Sequence, residues 1–343
     1  MMNKVIILLG PTGVGKTGLS LLLAKALNTE IISADSMQVY RRMDIGTAKP
    51  SLAERKMITH HMIDIVEPWE TYSTGKYIEA VKTIFERLAG QGKMPIVVGG
   101  TGLYIKAMTR GIFSGPSADW TLRDQLLALN RETKGILYDS LKALDPEAAR
   151  NITPNDTRRL IRALEVCLKG GAKMTEFQRS LTRPLPYEFI KIGITRDRRE
   201  LYRIIEQRVD AMVKGGLIEE VRMVTELICE QNRSRDSGGT AVDKHCDSAC
   251  RRTDQKFMAL PSMQAIGYKE IIRHLTGETT LDEAVDLIKK ASKRFAKRQF
   301  SWFKKEENIH WIDITGLEDL RDIFDRIYPV IAGLCGIIEW KQA

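Results

Sequence analysis

The sequence predicts an α/β protein in which a parallel-sheet core carries an inserted all-helical domain. Two observations lead to this fold class. Apolar runs of strand length alternate with helical segments in the first third of the chain, and strand signals then stop until one more strand begins at Phe189. A helical block between two strands of one sheet is the economical arrangement. We therefore expect a core of residues 1–116 and 187–343, with a helical domain of residues 117–186.

The first strand leads into a phosphate-binding loop. Val5-Ile6-Ile7-Leu8-Leu9 is an apolar run of strand length, GPTGVGKT follows it, and a helical segment follows from Leu19. This strand-loop-helix context is that of a P-loop, so the core should be P-loop NTPase-like. Its backbone N–H groups, the helix N-terminus and a lysine ammonium would bind a diphosphate or triphosphate. The predicted phosphate-binding residues are Gly10, Pro11, Thr12, Gly13, Val14, Gly15, Lys16 and Thr17.

Two further strands bring polar residues to the same edge of the sheet. A short strand at 30–33 ends just before Asp35, and a strand at 95–98 runs into GGTG, which contains Thr101. Because the carboxyl ends of parallel strands meet at one edge, we expect the P-loop, Asp35 and Thr101 to lie together.

Periodicity predicts the remaining elements of the fold. They are a possible strand at 62–66, a helix at 74–88, helices at 122–129, 137–144 and 157–168 in the insertion, a returning strand at 189–194, and long helices at 198–214 and 281–305.

Charge and composition limit the partners. The 53 basic residues exceed the 44 acidic ones, which favours a polyanionic partner. No apolar run approaches the roughly 18 residues that a membrane span needs. A strand beginning at Val5 leaves no room for a targeting peptide, so we expect a cytoplasmic protein with no membrane partner. The five cysteines are sparse and odd in number, which suits a reducing compartment.

A polar, glycine-rich stretch lies between Cys229 and Met258. His245, Cys246 and Cys250 have the chemistry of zinc ligands, but their spacing is not that of a standard finger and no second Cys/His pair follows. Without hydrophobic periodicity, the stretch is better interpreted as a mobile surface insertion.

These residues alone leave three functions open. A small-molecule or nucleotide kinase would place ATP in the loop, and a binding or switch protein would hold a nucleotide without moving a group. A transferase would use the loop for a diphosphate leaving group. Asp35 would hold Mg2+ through water, act as a general base, or simply cap a turn.

Further motifs follow the P-loop in order. They are DSMQVY at 35–40, GTAKP at 46–50, HHMIDIVEP at 60–68, YSTGKY at 72–77, PIVVGGTGLYI at 95–105, NDTRRLIRALEV at 155–166, QAIGYKE at 264–270 and AKRQFSWF at 296–303. Together with GPTGVGKT they resemble the tRNA dimethylallyltransferases, also called tRNA isopentenyltransferases, from residue 4 to about residue 305. The resemblance implies that the loop binds dimethylallyl diphosphate. The prenyl group would go to N6 of the adenosine on the 3′ side of the anticodon in a subset of tRNAs, with release of diphosphate.

The resemblance also implies the catalytic roles. Asp35 would accept the proton of N6, and Thr101 would hydrogen-bond across the reaction centre. Arg208 matches a family arginine near the diphosphate. Lys16, together with Mg2+ held by the Thr17 hydroxyl, would stabilise the charge that grows on the leaving group.

A base in the anticodon stem-loop must be unstacked before it can enter a pocket, so the protein must also grip the surrounding RNA. Gln38 would pair with donor and acceptor atoms of adenine, and the helical insertion would clasp the RNA. The expected tRNA contacts are Asp35, Ser36, Met37, Gln38, Thr101, Arg123, Arg158, Arg159, Arg162, Lys293 and Lys297.

The last long helix is the most basic segment. From residue 289 it carries eight basic residues and no acid before Glu306. Such a run indicates either a solvated face or contact with phosphates. The basic residues are Lys289, Lys290, Lys293, Arg294, Lys297, Arg298, Lys304 and Lys305. The tail after residue 306 carries no family motif, and it lacks the zinc-finger element of many eukaryotic members. We therefore expect a bacterial enzyme, and we expect it to be a monomer.

Overall fold

Six strands form one parallel sheet in the computed structural model, which describes residues 4–113, 115–236 and 255–337. The order across the sheet is β3-β2-β4-β1-β5-β6. The strands are β1 (Lys4–Leu9), β2 (Ile31–Ala34), β3 (His60–His61), β4 (Ile96–Gly99), β5 (Glu188–Thr195) and β6 (Ile309–Asp313). The central strands are buried on both faces, which is why they are almost continuously apolar.

The strand register brings the predicted site residues to one edge. Leu9 at the end of β1 lies opposite Gly99 of β4, and Gly99 lies opposite Ala34 of β2. The loops that follow these three strands are the P-loop, the turn with Asp35 and the turn with Thr101. The predicted convergence at the carboxyl edge of the sheet is therefore confirmed by the register.

Helices cover the sheet and build the insertion. They are α1 (Lys16–Ala26), α2 (Leu52–Met57), α3 (Thr74–Gly90), α4 (Gly102–Thr109), α5 (Trp120–Glu132), α6 (Ile136–Leu144), α7 (Pro146–Arg150), α8 (Thr157–Gly170), α9 (Met174–Leu181), α10 (Arg198–Lys214), α11 (Leu217–Asp236), α12 (Gln255–Met258), α13 (Tyr268–Leu275), α14 (Leu281–Phe303) and α15 (Leu320–Cys335). Of the described helices, none has the length and apolar character that a bilayer crossing requires.

The chain divides into two compact units. One comprises Met1–Ile105 and Pro186–Ala343, and the other comprises Lys106–Leu185. The division falls within α4, whereas the sequence predicts the boundary at residue 117. The second unit is entirely helical and has its own core, in which Leu141 of α6 and Leu160 of α8 are buried.

Two local predictions differ from the structure. The strand predicted at 62–66 is wrong, because Met62 and Asp64 adopt positive φ angles and only His60–His61 pairs with β2. The polar insertion does not begin at Cys229, because α11 continues to Asp236. The rest of that stretch, including the candidate zinc ligands at 245–250, lies outside the described residues.

The tail after residue 306 extends the core. β6 pairs with β5 at the sheet edge, and α15 packs its buried apolar face, which includes Ile327 and Ile331, into the main core cluster. The tail is thus a structural part of the first unit.

Candidate active site

A cavity of about 600 Å³ opens at the carboxyl edge of the sheet, within the first unit. The P-loop, the turn after β2, the 44–50 loop, the turn after β4, α10 and α14 contribute to its wall. Asp35, Thr101 and Arg208, which the resemblance marks as catalytic, all line it. The P-loop contributes Thr12, Gly13, Gly15, Lys16 and Thr17.

The P-loop has the conformation that its glycines allow. Gly15 has a φ of 102°, a left-handed value that an L side chain rarely adopts, and α1 begins immediately after it. The Lys16 ammonium donates hydrogen bonds to the carbonyl oxygens of Gly10 and Pro11, both at 2.8 Å. The ammonium is therefore held within the loop rather than extended into solvent.

Two cations share the P-loop end of the cavity. Burial, and next the positive charge of Arg208, lower the pKa of Lys16 to about 7, while Asp35 acts in the opposite direction. Burial also lowers the pKa of Arg208, whose Nη1 lies 3.3 Å from the Thr12 hydroxyl. Desolvated, mutually repelling cations favour an anionic ligand, because an anion would offset both costs.

Asp35 lies at the next part of the wall, at the end of β2. Its Oδ1 accepts a hydrogen bond from the Met37 N–H at 2.8 Å, and among the described residues no group donates to Oδ2. The Thr101 hydroxyl accepts from the Ser36 N–H at 3.0 Å, and the Thr101 N–H donates to the Ala34 carbonyl at 3.0 Å. These bonds fix the two turns to each other and leave one carboxylate oxygen available as a proton acceptor.

Gln38 is engaged more fully than the sequence suggested. Its Oε1 accepts from the Ser33 hydroxyl at 2.8 Å, and its Nε2 lies 3.3 Å from each of the carbonyl oxygens of Thr47 and Ala48. Both amide N–H groups are thus directed at protein carbonyls. In this arrangement Gln38 cannot pair with both a donor and an acceptor of adenine. Its Oε1 can still accept one further hydrogen bond.

Glu220 of α11 is a residue that the sequence did not indicate. Its buried carboxylate accepts from the N–H groups of Asp44, Ile45 and Gly46 at 2.6–2.9 Å, and from the Tyr268 hydroxyl at 2.8 Å. It therefore anchors the loop that holds Gln38. A glutamate in an ordinary helical sequence gives no signal of such a role, since its loop partners are 174–176 residues away in the chain and Tyr268 is 48 residues away.

In the second unit, two predicted RNA-binding arginines share a buried acid. Arg123 makes a two-point interaction with Glu165 at 2.8 Å, and Arg162 bonds both Glu165 and the Pro116 carbonyl. Burial, the largest influence, raises the pKa of Glu165, but the bonds from Arg123, the Asp119 N–H and Arg162 outweigh it and lower the pKa to about 2. The predicted partners Arg158 and Arg159 are exposed on the same helix, α8.

This cluster should make the stability of the second unit depend on pH. The pKa of Glu165 is lowered below the value of about 4.3 in an unfolded chain. Its contribution is therefore complete above that value and is lost as pH falls toward 2. We expect Glu165→Gln to be less stable than the wild type near neutrality, with a difference that narrows on acidification. Urea midpoints from circular dichroism would measure it, with Glu132→Gln, an exposed acid of α5, as the control. A pH-independent difference would contradict this assignment.

The basic run of α14 is partly neutralised by its neighbour α10. Lys289 pairs with Asp210 at 2.6 Å, and Lys293 pairs with Glu206. Lys297 is exposed, without a hydrogen bond or ion pair among the described residues. The sequence showed no acid within the run, and it could not show that acids of another helix lie against it.

The comparisons agree with this architecture. A model of the family described as IPP transferase matches residues 38–306. The tRNA dimethylallyltransferase of Thermodesulfovibrio yellowstonii is 53% identical over 97% of this chain and 98% of its own length. The structure of the full-length tRNA isopentenylpyrophosphate transferase of Bacillus halodurans has a TM-score of 0.66 and 38% identity, covering 97% of both chains. That of a eukaryotic dimethylallyltransferase acting on tRNA has a TM-score of 0.74 and 28% identity, over 97% of this chain and 78% of the other.

The alignments extend beyond the motifs identified in the sequence. Because they take in 97% of the chain, they include most of the tail after residue 306. The family model covers most of the chain, and the relatives align with nearly all of it. The chain belongs to the IPP transferase family.

Proposed function

We propose that the protein is a tRNA dimethylallyltransferase, a transferase that moves the dimethylallyl group of dimethylallyl diphosphate to N6 of the adenosine 3′ to the anticodon. The observation that carries the proposal is the composition of one cavity wall. Lys16 and Arg208 are desolvated at its P-loop end, and the Asp35 carboxylate faces the same space. The cationic end suits a diphosphate leaving group, and Asp35 supplies a proton acceptor for the attacking amine. The names of the relatives support this substrate pair.

The reaction needs one bond to form and one to break. The N6 nitrogen attacks the allylic C1, the C1–O bond breaks, and its electron pair leaves with the diphosphate. The proton of N6 goes to Oδ2 of Asp35, the oxygen that has no other donor among the described residues. Because Met37 holds Oδ1, the carboxylate is presented in one orientation.

The diphosphate end stabilises developing negative charge. Backbone N–H groups of the loop, the N-terminus of α1, Lys16 and Arg208 all favour an anion there. An anion near Lys16 also favours its charged form, which burial disfavours in the protein alone.

The wall next to Lys16 also fits a magnesium ion. Thr17 lines the cavity with its side chain exposed, and a hydroxyl oxygen is the type of ligand that Mg2+ takes together with phosphate oxygens. When bound, Mg2+ would supply positive charge to the leaving diphosphate. Thr17 is the residue that would hold it.

The adenine end provides acceptors for an exocyclic amine. The remaining capacity of Gln38 Oε1 suits the N6 amino group better than the keto oxygen of guanine, which would bring two acceptors together. Ser36 in the turn after β2 and Thr101 in the turn after β4 are hydrogen-bonded to each other, and both line the same cavity.

RNA binding outside the pocket should depend on Lys297 more than on Lys293. Lys293 already has Glu206 as a partner, whereas the Lys297 ammonium is exposed. We expect Lys297→Gln to weaken tRNA binding and to lower the slope of log K against log salt by about one. Lys293→Gln should change the slope less. Filter binding over a salt series would compare the two, and identical slopes for both variants would contradict this order.

The proposal is tested by supplying purified protein with unmodified tRNA, labelled dimethylallyl diphosphate and Mg2+. Label should enter the tRNA, and with Asp35→Asn it should enter about 10³-fold more slowly. A parallel reaction contains labelled ATP and candidate hydroxyl acceptors. If phosphate moved from ATP while the tRNA stayed unlabelled, a kinase function would replace the one proposed.

We add inferences about the location, source and oligomeric state of the protein. A tRNA-modifying enzyme would act in the cytoplasm, and we infer a bacterial source and a monomeric state. Light scattering of the purified protein would measure the last of these; a mass of twice that of the chain would refute it.

A further inference from the structure

Gln299 of α14 bridges two turns of the active-site cavity. It is 6% exposed, its Oε1 accepts from the Thr12 N–H at 2.8 Å, and its Nε2 donates to the Gly100 carbonyl at 3.0 Å. Thr12 belongs to the P-loop, and Gly100 immediately precedes Thr101. One side chain thus joins the loop after β1 to the turn after β4.

The backbone at Gly100 leaves space for the Gln299 amide only because residue 100 has no side chain. A Cβ at Gly100 would lie 2.1 Å from Nε2 of Gln299, so a side chain at position 100 would displace the amide. The two bonds also require one donor and one acceptor at the end of the same side chain. Among residues of this length, only glutamine meets this requirement at neutral pH, since a glutamate would place a second acceptor against the Gly100 carbonyl.

The two turns that Gln299 joins carry the groups that meet the substrates. The Thr12 hydroxyl contacts Arg208, and the Thr101 hydroxyl accepts from the Ser36 N–H beside Asp35. The separation of the phosphate-binding loop from the adenine side is therefore fixed through Gln299. In a displacement reaction, that separation decides how closely the nucleophile approaches the reacting carbon.

We propose that Gln299 is a positioning residue that sets the distance between the diphosphate site and the nucleophile site. The proposal rests on the function proposed above. Gln299 acts through Thr12 and Gly100, and its bond to the Thr12 N–H fixes the conformation of the P-loop that meets the anion.

The test compares Gln299→Glu and Gln299→Met with the wild type and with Ser301→Ala, an exposed position on the same helix. We expect both Gln299 variants to lose about 10²-fold in kcat, the scale of a small misplacement. The KM for tRNA should stay within about twofold, as it should for the control. Because a protonated glutamate again has a donor and an acceptor, the activity of Gln299→Glu relative to wild type should rise as pH falls, whereas that of Gln299→Met should not.

Binding of inorganic diphosphate, measured by calorimetry, gives a readout that does not need catalysis. We expect it to weaken in both variants, and melting temperatures identify a variant that has simply lost its fold. Wild-type kcat in Gln299→Met, or losses in both variants without the pH rescue of Gln299→Glu, would overturn the positioning role. If the wild type itself labelled no tRNA, the proposed function would fail, whereas unchanged diphosphate affinity in the variants would reject the role of Gln299 independently.

Discussion

Replacing Asp35 by Asn should lower kcat for prenyl transfer by about 10³-fold, within the range that a general base contributes. Asparagine has the same size, and its Oδ1 can still accept from the Met37 N–H, so the turn after β2 should keep its shape. What is lost is the oxygen that accepts the proton of N6. The tRNA affinity should therefore stay close to that of the wild type.

Single-turnover labelling at saturating tRNA and dimethylallyl diphosphate isolates this step. Asp286→Asn, an exposed acid of α14, is a matched control, because it makes the same change in charge outside the cavity. Wild-type turnover by the Asp35 variant would remove Asp35 from the role of base. A loss of tRNA affinity comparable with the loss of kcat would indicate a binding role instead.

Replacing Lys16 by Met should lower kcat by a similar factor, here through the loss of a contact with the diphosphate. Methionine keeps most of the length of the side chain but removes the ammonium that the P-loop carbonyls hold. We expect kcat to fall by about 10²–10³-fold, as for the loss of one group that stabilises transition-state charge. The affinity for inorganic diphosphate should fall as well, because the ground-state anion has the same contact.

Calorimetry with inorganic diphosphate and initial rates with labelled substrate separate these two effects. Lys25→Met, at the exposed end of the same helix, removes a charge without touching the loop. Unchanged diphosphate affinity in Lys16→Met would mean that the anion lies elsewhere in the cavity. A fall in tRNA affinity alone would point to the same correction.

Most of the core could be predicted from local sequence pattern. The buried strands β1, β2 and β4 are largely apolar runs of four to six residues, β5 shows an alternating pattern, and helices such as α3 and α8 show clear periodicity. The convergence of the P-loop, Asp35 and Thr101 followed from the rule that loops after parallel strands meet at one edge. These features depend on neighbours in the chain or on one general property of parallel sheets.

What could not be predicted depends on contacts between distant segments. Lys293 meets Glu206 only because α10 and α14 pack side by side. Gln299 reaches Thr12 across 287 positions of sequence. The left-handed conformations at Met62 and Asp64, which end β3 early, likewise have no glycine to announce them. No periodicity or motif encodes such pairings, although they determine which charges and amides remain available to a substrate.

The carboxylate of Glu220 has a consequence for how the molecule opens. The N–H groups of Asp44, Ile45 and Gly46 all end on this one side chain of α11. Their exchange with deuterium therefore requires that the loop detach from α11 or that the helix itself loosen, although the loop lies far from α11 in the chain. As denaturant is added, the exchange rates of the three amides should rise together with those of α11, because the loop and the helix belong to one cooperative unit.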